Sequence, residues 1–197
     1  SQKLAPILSG IGLTYLLERN FDLAESYYLK SLELNKKNLG FFHDDVARNY
    51  AQLGSLNLEQ KKFSLANDYY LKSLEIRGKT LDRDHAETAL VLDQLSQLHF
   101  ENLNYSKALF YKEAQIEIMD RRILISKLDL KSGEDFLIKS AYSNYIAQLM
   151  QYNKDDLNSE SLAKVFEAFQ KSKISVTSKA LEQMAIRYLP KSEGLTE

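Results

Sequence analysis

The sequence predicts an all-α fold, a stack of helical pairs followed by a C-terminal helical extension. Three observations carry that prediction. A unit recurs every 42 residues: Tyr27-Tyr28-Leu29-Lys30-Ser31-Leu32-Glu33 returns as Tyr69-Tyr70-Leu71-Lys72-Ser73-Leu74-Glu75. Inside the unit the apolar residues fall at i, i+3/i+4, the spacing of an amphipathic helix. Only 2 Pro and 7 Gly punctuate the 197 residues, too few for a turn-rich all-β fold. A self-similar period of this length marks a stacked array, because one helical pair cannot bury its apolar face alone.

The elements follow in order. A looser third copy aligns Phe21, Phe63 and Tyr105, then Ala24, Ala66 and Ala108, then Tyr27, Tyr69 and Tyr111, then Leu32, Leu74 and Ile116. The units are 1–40, 41–82 and 83–127, and the array spans 1–127. Each unit holds two helices. The second helix of unit one carries Leu23, Ala24, Tyr27, Tyr28, Ser31, Leu32 and Leu34 on one face. The first helix of unit two carries Val46, Ala47, Tyr50, Leu53, Gly54 and Asn57. Glu18-Arg19-Asn20, Gln60-Lys61-Lys62 and Asn102-Leu103-Asn104 are the short polar turns between paired helices. Gly12, Gly54 and the repeated alanines let facing backbones approach. Asp84 with Glu87 has the spacing of a capping box.

The extension spans 128–197. Asp129 to Glu134 is expected as a connecting loop around Gly133. Phe136, Leu137, Ala141, Tyr142, Tyr145, Ile146, Leu149 and Met150 form an amphipathic pattern, with Tyr142 and Tyr145 expected partly exposed. A polar linker, Asn153 to Asn158, precedes Ser159 as an N-cap for Leu162, Val165, Phe166 and Phe169. Helix propensity dips at Ile174 to Ser178, then Leu181, Met184, Ala185 and Tyr188 resume a helical face before Pro190.

Composition narrows the function. Twenty-six basic residues against 27 acidic leave a net charge of −1, which excludes a polycation built for nucleic acid. There is no Cys, hence no disulfide, thiolate metal site or cysteine nucleophile. No apolar run approaches the roughly 20 residues of a membrane span. The chain opens at Ser1 rather than Met, as a processed, trimmed or partial sequence does, and any signal peptide lies outside residues 1–20; the expected location is the cytoplasm. No glycine-rich phosphate loop, G-x-S-x-G elbow or general acid–base pair is present, so no enzyme activity, catalytic residue or cofactor is expected. His43 and His85 lie 42 residues apart, as a metal pair or as simple repetition. A full repeat separates them, too far to share an ion at bonds of about 2.0–2.1 Å, so no metal site is expected. His99 stands where a core aromatic belongs, as a hydrogen-bonded interface histidine. The Tyr27, Tyr28, Tyr69, Tyr70 and Tyr111 stripe reads as packing rather than base stacking.

The series Ile11-Gly12…Tyr15…Phe21…Ala24…Tyr28 and Leu53-Gly54…Phe63…Ala66…Tyr70 resembles the tetratricopeptide repeat (TPR) over roughly residues 5–122. Periods of about 34 residues are usual for that family and about 40–47 for armadillo or HEAT arrays; the glycine, alanine and aromatic offsets decide for the former. The 42-residue unit, with His43-Asp44-Asp45-Val46-Ala47 and Asp84-His85-Ala86-Glu87-Thr88-Ala89 between units, is similar to the kinesin-light-chain subclass. Unit three departs at Ser96, His99 and Lys112, and no unit has the family's Trp or closing Pro. In the tail, Val165-Phe166-Glu167-Ala168-Phe169-Gln170 and Ala180-Leu181-Glu182-Gln183-Met184-Ala185-Ile186-Arg187 resemble the boundary between such repeats and a CHAT, caspase-like module in bacterial proteins.

The resemblance implies a right-handed superhelix whose first helices line a concave groove. The groove positions are Pro6, Ser9 and Leu13 in unit one, Arg48, Ala51, Gln52 and Ser55 in unit two, and Leu90, Asp93, Gln94 and Gln97 in unit three. Kinesin-light-chain-like repeats place Asn at two adjacent groove positions to bond a peptide backbone. Gln52 and Gln94 hold one of them here, and Ala51 and Asp93 depart at the other. The implied function is a non-catalytic protein- or peptide-binding region of a larger bacterial protein, with a following domain in the same chain. The alternative is a stand-alone adaptor, or a self-associating scaffold using Phe136, Leu137, Tyr142 and Phe166. The residues leave the oligomeric state open.

Overall fold

Each periodic segment of the array forms a helix: α1 (Leu4–Leu17), α2 (Phe21–Leu39), α3 (Asp44–Glu59), α4 (Phe63–Thr80), α5 (Ala86–Glu101) and α6 (Tyr105–Ser126). The computed structural model describes residues 3–81, 85–126, 132–153 and 163–171. The chain divides into two units, Ser1–Ile125 and Ser126–Glu197.

The three polar turns share one geometry. Arg19, Lys61 and Leu103 have φ of 59°, 57° and 58°. In the middle turn the Lys61 N–H donates to Leu58 O (2.8 Å) and the Lys62 N–H to Asn57 O (2.9 Å). The same crossed pair closes α1 (Arg19 to Leu16, Asn20 to Tyr15) and α5 (Leu103 to Phe100, Asn104 to His99). This is the Schellman motif, which satisfies the last carbonyls and reverses the chain. It normally takes glycine, so all three turns carry the cost of a side chain in the left-handed region.

Helix starts between units are set by histidine. His43 Nδ1 accepts from the Asp45 N–H at 3.1 Å and His85 Nδ1 from the Glu87 N–H at 3.2 Å. Their repetition therefore reflects a shared capping role. The N-cap of α5 is His85. Asp84 itself lies outside the described residues.

The core of the first unit runs through both faces of the hairpins. Ala24, Tyr28, Leu32, Val46, Ala47, Leu53, Leu56 and Ile76 form one cluster; Ala51, Ala66, Tyr70, Val91, Leu95 and Leu98 form the next. Leu23, expected on the apolar face of α2, is instead exposed, because α3 packs against the Tyr28 and Leu32 side. The glycines admit an aromatic ring, and Gly12 also the facing backbone, since a Cβ there would lie 3.3 Å from Ala24 O. A Cβ at Gly12 would lie 2.8 Å from the Tyr28 ring, and one at Gly54 would lie 2.6 Å from the Tyr70 ring. In unit three both partners change together, to Ser96 and Lys112.

In the second unit α7 spans Ser132–Tyr152. Gly133 and Glu134 thus lie inside a helix rather than in the expected loop; the helix formers that follow outweigh the roughly 1 kcal/mol cost of one glycine. Ile138, Ala141, Tyr142 and Leu149 are buried, and Tyr145 is half-buried. Tyr142 is therefore core, neither partly exposed nor available to a self-association surface. Residues 163–171 form a further helix in which Ala168 is buried, while Phe166 and Phe169 are exposed. Ser159, Leu162, Ile174 to Ser178, and Leu181 to Pro190 lie outside the described residues, as do the side chains of Phe136 and Leu137.

Candidate functional site

The first helices α1, α3 and α5 bring the expected groove residues into two hydrogen-bonded chains. The first begins at a backbone carbonyl, which can only accept. Ser31 Oγ donates to Ala5 O (2.8 Å), so its oxygen accepts from Asn49 Nδ2 (3.0 Å), with Ser9 Oγ 2.9 Å away. That sets the Asn49 amide, whose Oδ1 accepts from Asn35 Nδ2 at 2.7 Å and whose Nδ2 also faces Ser9 Oγ at 2.9 Å. Gln52 completes the chain: its Oε1 lies 3.1 Å from both Ser9 Oγ and Asn49 Nδ2. Its carbonyl is thereby committed inward, and its NH2 is left to face outward.

The second chain runs the other way. Ser55 Oγ donates to Ala51 O at 3.2 Å and accepts from Tyr70 Oη at 3.1 Å. It also accepts from Gln94 Nε2 at 3.0 Å. Gln94 therefore turns its NH2 toward Ser55 and leaves Oε1 to face outward. Two glutamines at equivalent repeat positions thus show opposite polarity, one a donor and the other an acceptor. Burial pushes the Tyr70 hydroxyl up to about 12, partly offset by its bond to Ser55, so it stays a protonated donor.

The remaining expected residues fall elsewhere. Leu13 and Leu90 are exposed. Ala51 is buried. Arg48, half-exposed, bonds Asp45 at 2.8 Å and Asp44 at 3.1 Å on its own helix. Gln97 donates to Glu101 at 2.8 Å. Asp93 is not a free groove carboxylate: it pairs with Lys112, whose side chain is 2% exposed and which also donates to Gln115 at 2.9 Å. The buried ammonium needs that carboxylate, because an uncompensated charge in the interior is far costlier than a paired one.

His99 does not hydrogen-bond as expected. It stacks on Tyr111, ring centroids 5.4 Å apart and planes within 6°, as Tyr15 stacks on Tyr27 at 5.5 Å two helix pairs earlier in the same register. Both of its ring nitrogens are buried without a partner. Burial, then the nearby Lys107 charge, lowers its pKa from the ordinary 6.5.

Reasoning from sequence alone missed Ser31, Asn35, Asn49, Arg77 and Lys112. A signal existed for each: a polar residue at a position where the helical period demands an apolar one. Arg77 is the clearest case. Its side chain is 1% exposed, and it bonds Asp44 (3.2 Å) at the start of α3 and Glu87 (3.0 Å) at the start of α5, as well as the Glu87 carbonyl (2.7 Å).

Residues 3–79 match the tetratricopeptide-repeat family model. That match ends before unit three, where Ser96, His99 and Lys112 break the pattern. No curated protein sequence matches the chain. Among solved structures, BtubC (BKLC) from P. vanneervenii is similar with a TM-score of 0.65 at 20% identity, over 100% of this chain and 70% of that one. The nearly identical TPR-like repeats of a candidate Podosopora anserina kinesin light chain give a TM-score of 0.58 at 14% identity, over 96% of this chain and 99% of that one. At these identities the structures establish the fold alone, and the family-model match is confined to residues 3–79. Residues 3–79 are similar to tetratricopeptide repeats, and the all-α solenoid they open has the fold of the kinesin-light-chain repeats.

Proposed function

We propose that the face formed by α1, α3 and α5 binds an extended protein or peptide segment through its backbone. The repeats themselves imply a protein-interaction or scaffold role. The observation that supports the finer reading is the opposed polarity of Gln52 and Gln94. A peptide backbone offers carbonyls and N–H groups in alternation. A fixed donor at Gln52 and a fixed acceptor at Gln94 meet one of each, and the hydroxyl chains beneath them hold both amides without further ordering cost. Leu13 and Leu90 add exposed apolar contact on either side. Arg48 adds a cation for an acidic side chain, in competition with Asp44 and Asp45.

The test is selection of binders from a random 12-residue peptide library on the intact chain, followed by titration against variants. Losing two neutral hydrogen bonds costs on the order of 1–3 kcal/mol. Gln52→Leu/Gln94→Leu is therefore expected to weaken a selected peptide at least about fivefold. Leu71→Ser, on the exposed side of α4, should leave it unchanged. Equal affinity for both variants would refute the groove assignment.

We also propose that this module is non-catalytic, cytoplasmic and the sensing part of a larger bacterial protein. Val165 to Gln170, which resembles a CHAT boundary, supports that reading and lies in the described helix 163–171. Its companion Ala180 to Arg187 lies outside the described residues. Among the described residues no helix is long and apolar enough to cross a membrane. Sequencing the reading frame past Glu197 tests the larger context, since a His and Cys at caspase-like spacing must follow.

A further inference from the structure

We infer that the face shared by α2, α3 and α4 docks an acidic segment of a partner protein, one that carries apolar side chains among its carboxylates. The framework of this face is a chain of aromatic rings joined by ammoniums. Lys36 Nζ lies 5.4 Å from the Phe41 ring centroid and 4.9 Å from that of Tyr50. Lys72 Nζ lies 5.7 Å from the Tyr50 centroid and 5.6 Å from that of Tyr69. Each ammonium is thus shared by two rings, and α2, the loop after it, α3 and α4 each supply a member. Beside the chain, Lys79 Nζ stands 4.4 Å from the Phe42 centroid. This face is distinct from the groove: Tyr50 and Gln52 are two residues apart on α3, about 200° around the helix.

Two features say what the face lacks. The first is a counter-ion. Asp68 precedes Lys72 by four residues and Glu33 precedes Lys36 by three, the spacings of helical ion pairs. Neither pair forms, and among the described residues neither Lys36 nor Lys72 has a carboxylate partner, whereas Lys79 has Glu75 at 2.7 Å. The rings hold the two ammoniums and strip part of their hydration, which leaves both preorganised for a carboxylate. The second is apolar cover. Phe41 and Phe42 are 66% and 57% exposed. The repeat does not ask for them, because the positions 42 residues on are Arg83 and Asp84. Adjacent exposed rings that serve no repeat packing mark an interaction surface. Complementarity then selects the partner, since cations beside exposed rings fit carboxylates beside apolar side chains. Nucleic acid fits less well. Tyr50 and Tyr69 are already engaged by ammoniums and by each other, centroids 6.1 Å apart, whereas a single strand needs open rings on which to stack its bases.

The probe is a fluorescein-labelled peptide of Glu-Glu-Leu-Glu repeated three times. It is titrated against the full chain by anisotropy at about 20 mM salt, where exposed charges are little screened. Lys36→Gln/Lys72→Gln should weaken it at least about fivefold, the loss expected from two partly desolvated ion pairs. Lys36→Arg/Lys72→Arg keeps both charges and both ring contacts and should bind at least as well as the parent. Lys61→Gln/Lys62→Gln, exposed in the α3–α4 turn, removes the same charge away from the rings and should bind as the parent does. Phe41→Ser/Phe42→Ser should weaken the peptide at least about threefold at unchanged net charge. No binding by the parent chain, an equal loss in both lysine-to-glutamine pairs, or equal affinity for a labelled oligothymidine strand would each overturn the proposal. The groove reading stands or falls apart from it. Gln52→Leu/Gln94→Leu should leave this peptide untouched, and a loss there with none in Lys36→Gln/Lys72→Gln would put the peptide in the groove and overturn the proposal.

Discussion

Gly54 and Gly78 both sit inside helices, yet they answer to different forces. A Cβ at Gly54 would stand 2.6 Å from the Tyr70 ring, whereas one at Gly78 meets nothing within 4 Å. Gly78→Ala should therefore stabilise by about 0.5–1 kcal/mol through helix propensity. Gly54→Ala gains the same propensity but must displace a fully buried ring, and a net loss of about 1–2 kcal/mol is expected. Thermal melts of the two variants should shift in opposite directions. His99 supplies a residue-scale pH dependence. Its folded pKa lies below the ordinary 6.5, so the native state binds fewer protons than the unfolded chain. The stability it protects is complete above that value and is lost as pH falls through and below it. His99→Phe keeps the stack on Tyr111 and removes two orphaned nitrogens. Its melting temperature should change less than the parent's between pH 7 and pH 5. An identical decline in both would show that His99 is not the titrating group.

At the scale of the helical hairpin, the turns are the least economical part of the chain. Lys61 holds φ at 57° with two backbone hydrogen bonds closing over it. Lys61→Gly removes a left-handed strain of roughly 1–2 kcal/mol and adds about 0.5–1 kcal/mol of unfolded-state entropy. A net gain of about 0.5–1 kcal/mol is expected in a denaturant titration, with an unchanged m-value. A destabilised Lys61→Gly would mean that the lysine side chain makes a contact outweighing the strain. Helix starts obey a similar economy. Histidine is not among the favoured N-caps, yet His43 and His85 each present a ring nitrogen to the first turn. The neighbouring Asp44 and Glu87 are thereby left to meet Arg77, which ties two helix starts and α4 together through one buried guanidinium.

Across the whole array, the units keep one scaffold and vary its polar filling. At one register position stand Ser9, Ala51 and Asp93; at another, Tyr28, Tyr70 and Lys112. Each change propagates. Ala51 and Val91 replace the groups that satisfy Ser31 in unit one, and the Oγ of Ser73, the counterpart of Ser31, is buried without a partner. Lys112 requires Asp93. Asp93→Ala should cost about 3–5 kcal/mol by stranding the ammonium. Asp93→Ala/Lys112→Met should recover most of that loss, because an apolar chain of similar length fills the site. A double variant no more stable than the single one would show that the pair is not coupled.

The period, the hairpin turns, the helix pairing and the Gly-aromatic offsets were legible in the sequence, because they repeat and because helical periodicity is a local property of the chain. The shared register of Gln52 and Gln94 was legible for the same reason. Their polarity was not. It depends on a carbonyl at Ala5 reached through Ser31 and Asn49, and on a carbonyl at Ala51 reached through Ser55. The bonds that transmit it join residues 43 and 39 positions apart. The sequence by itself determined which helices form and in what order they stack. Only the tertiary structure decided which way each buried amide faces, where His99 is left unsatisfied and which carboxylate Lys112 claims. Hydrogen-bond direction is fixed by partners that packing brings together, and neighbours along the chain do not encode it.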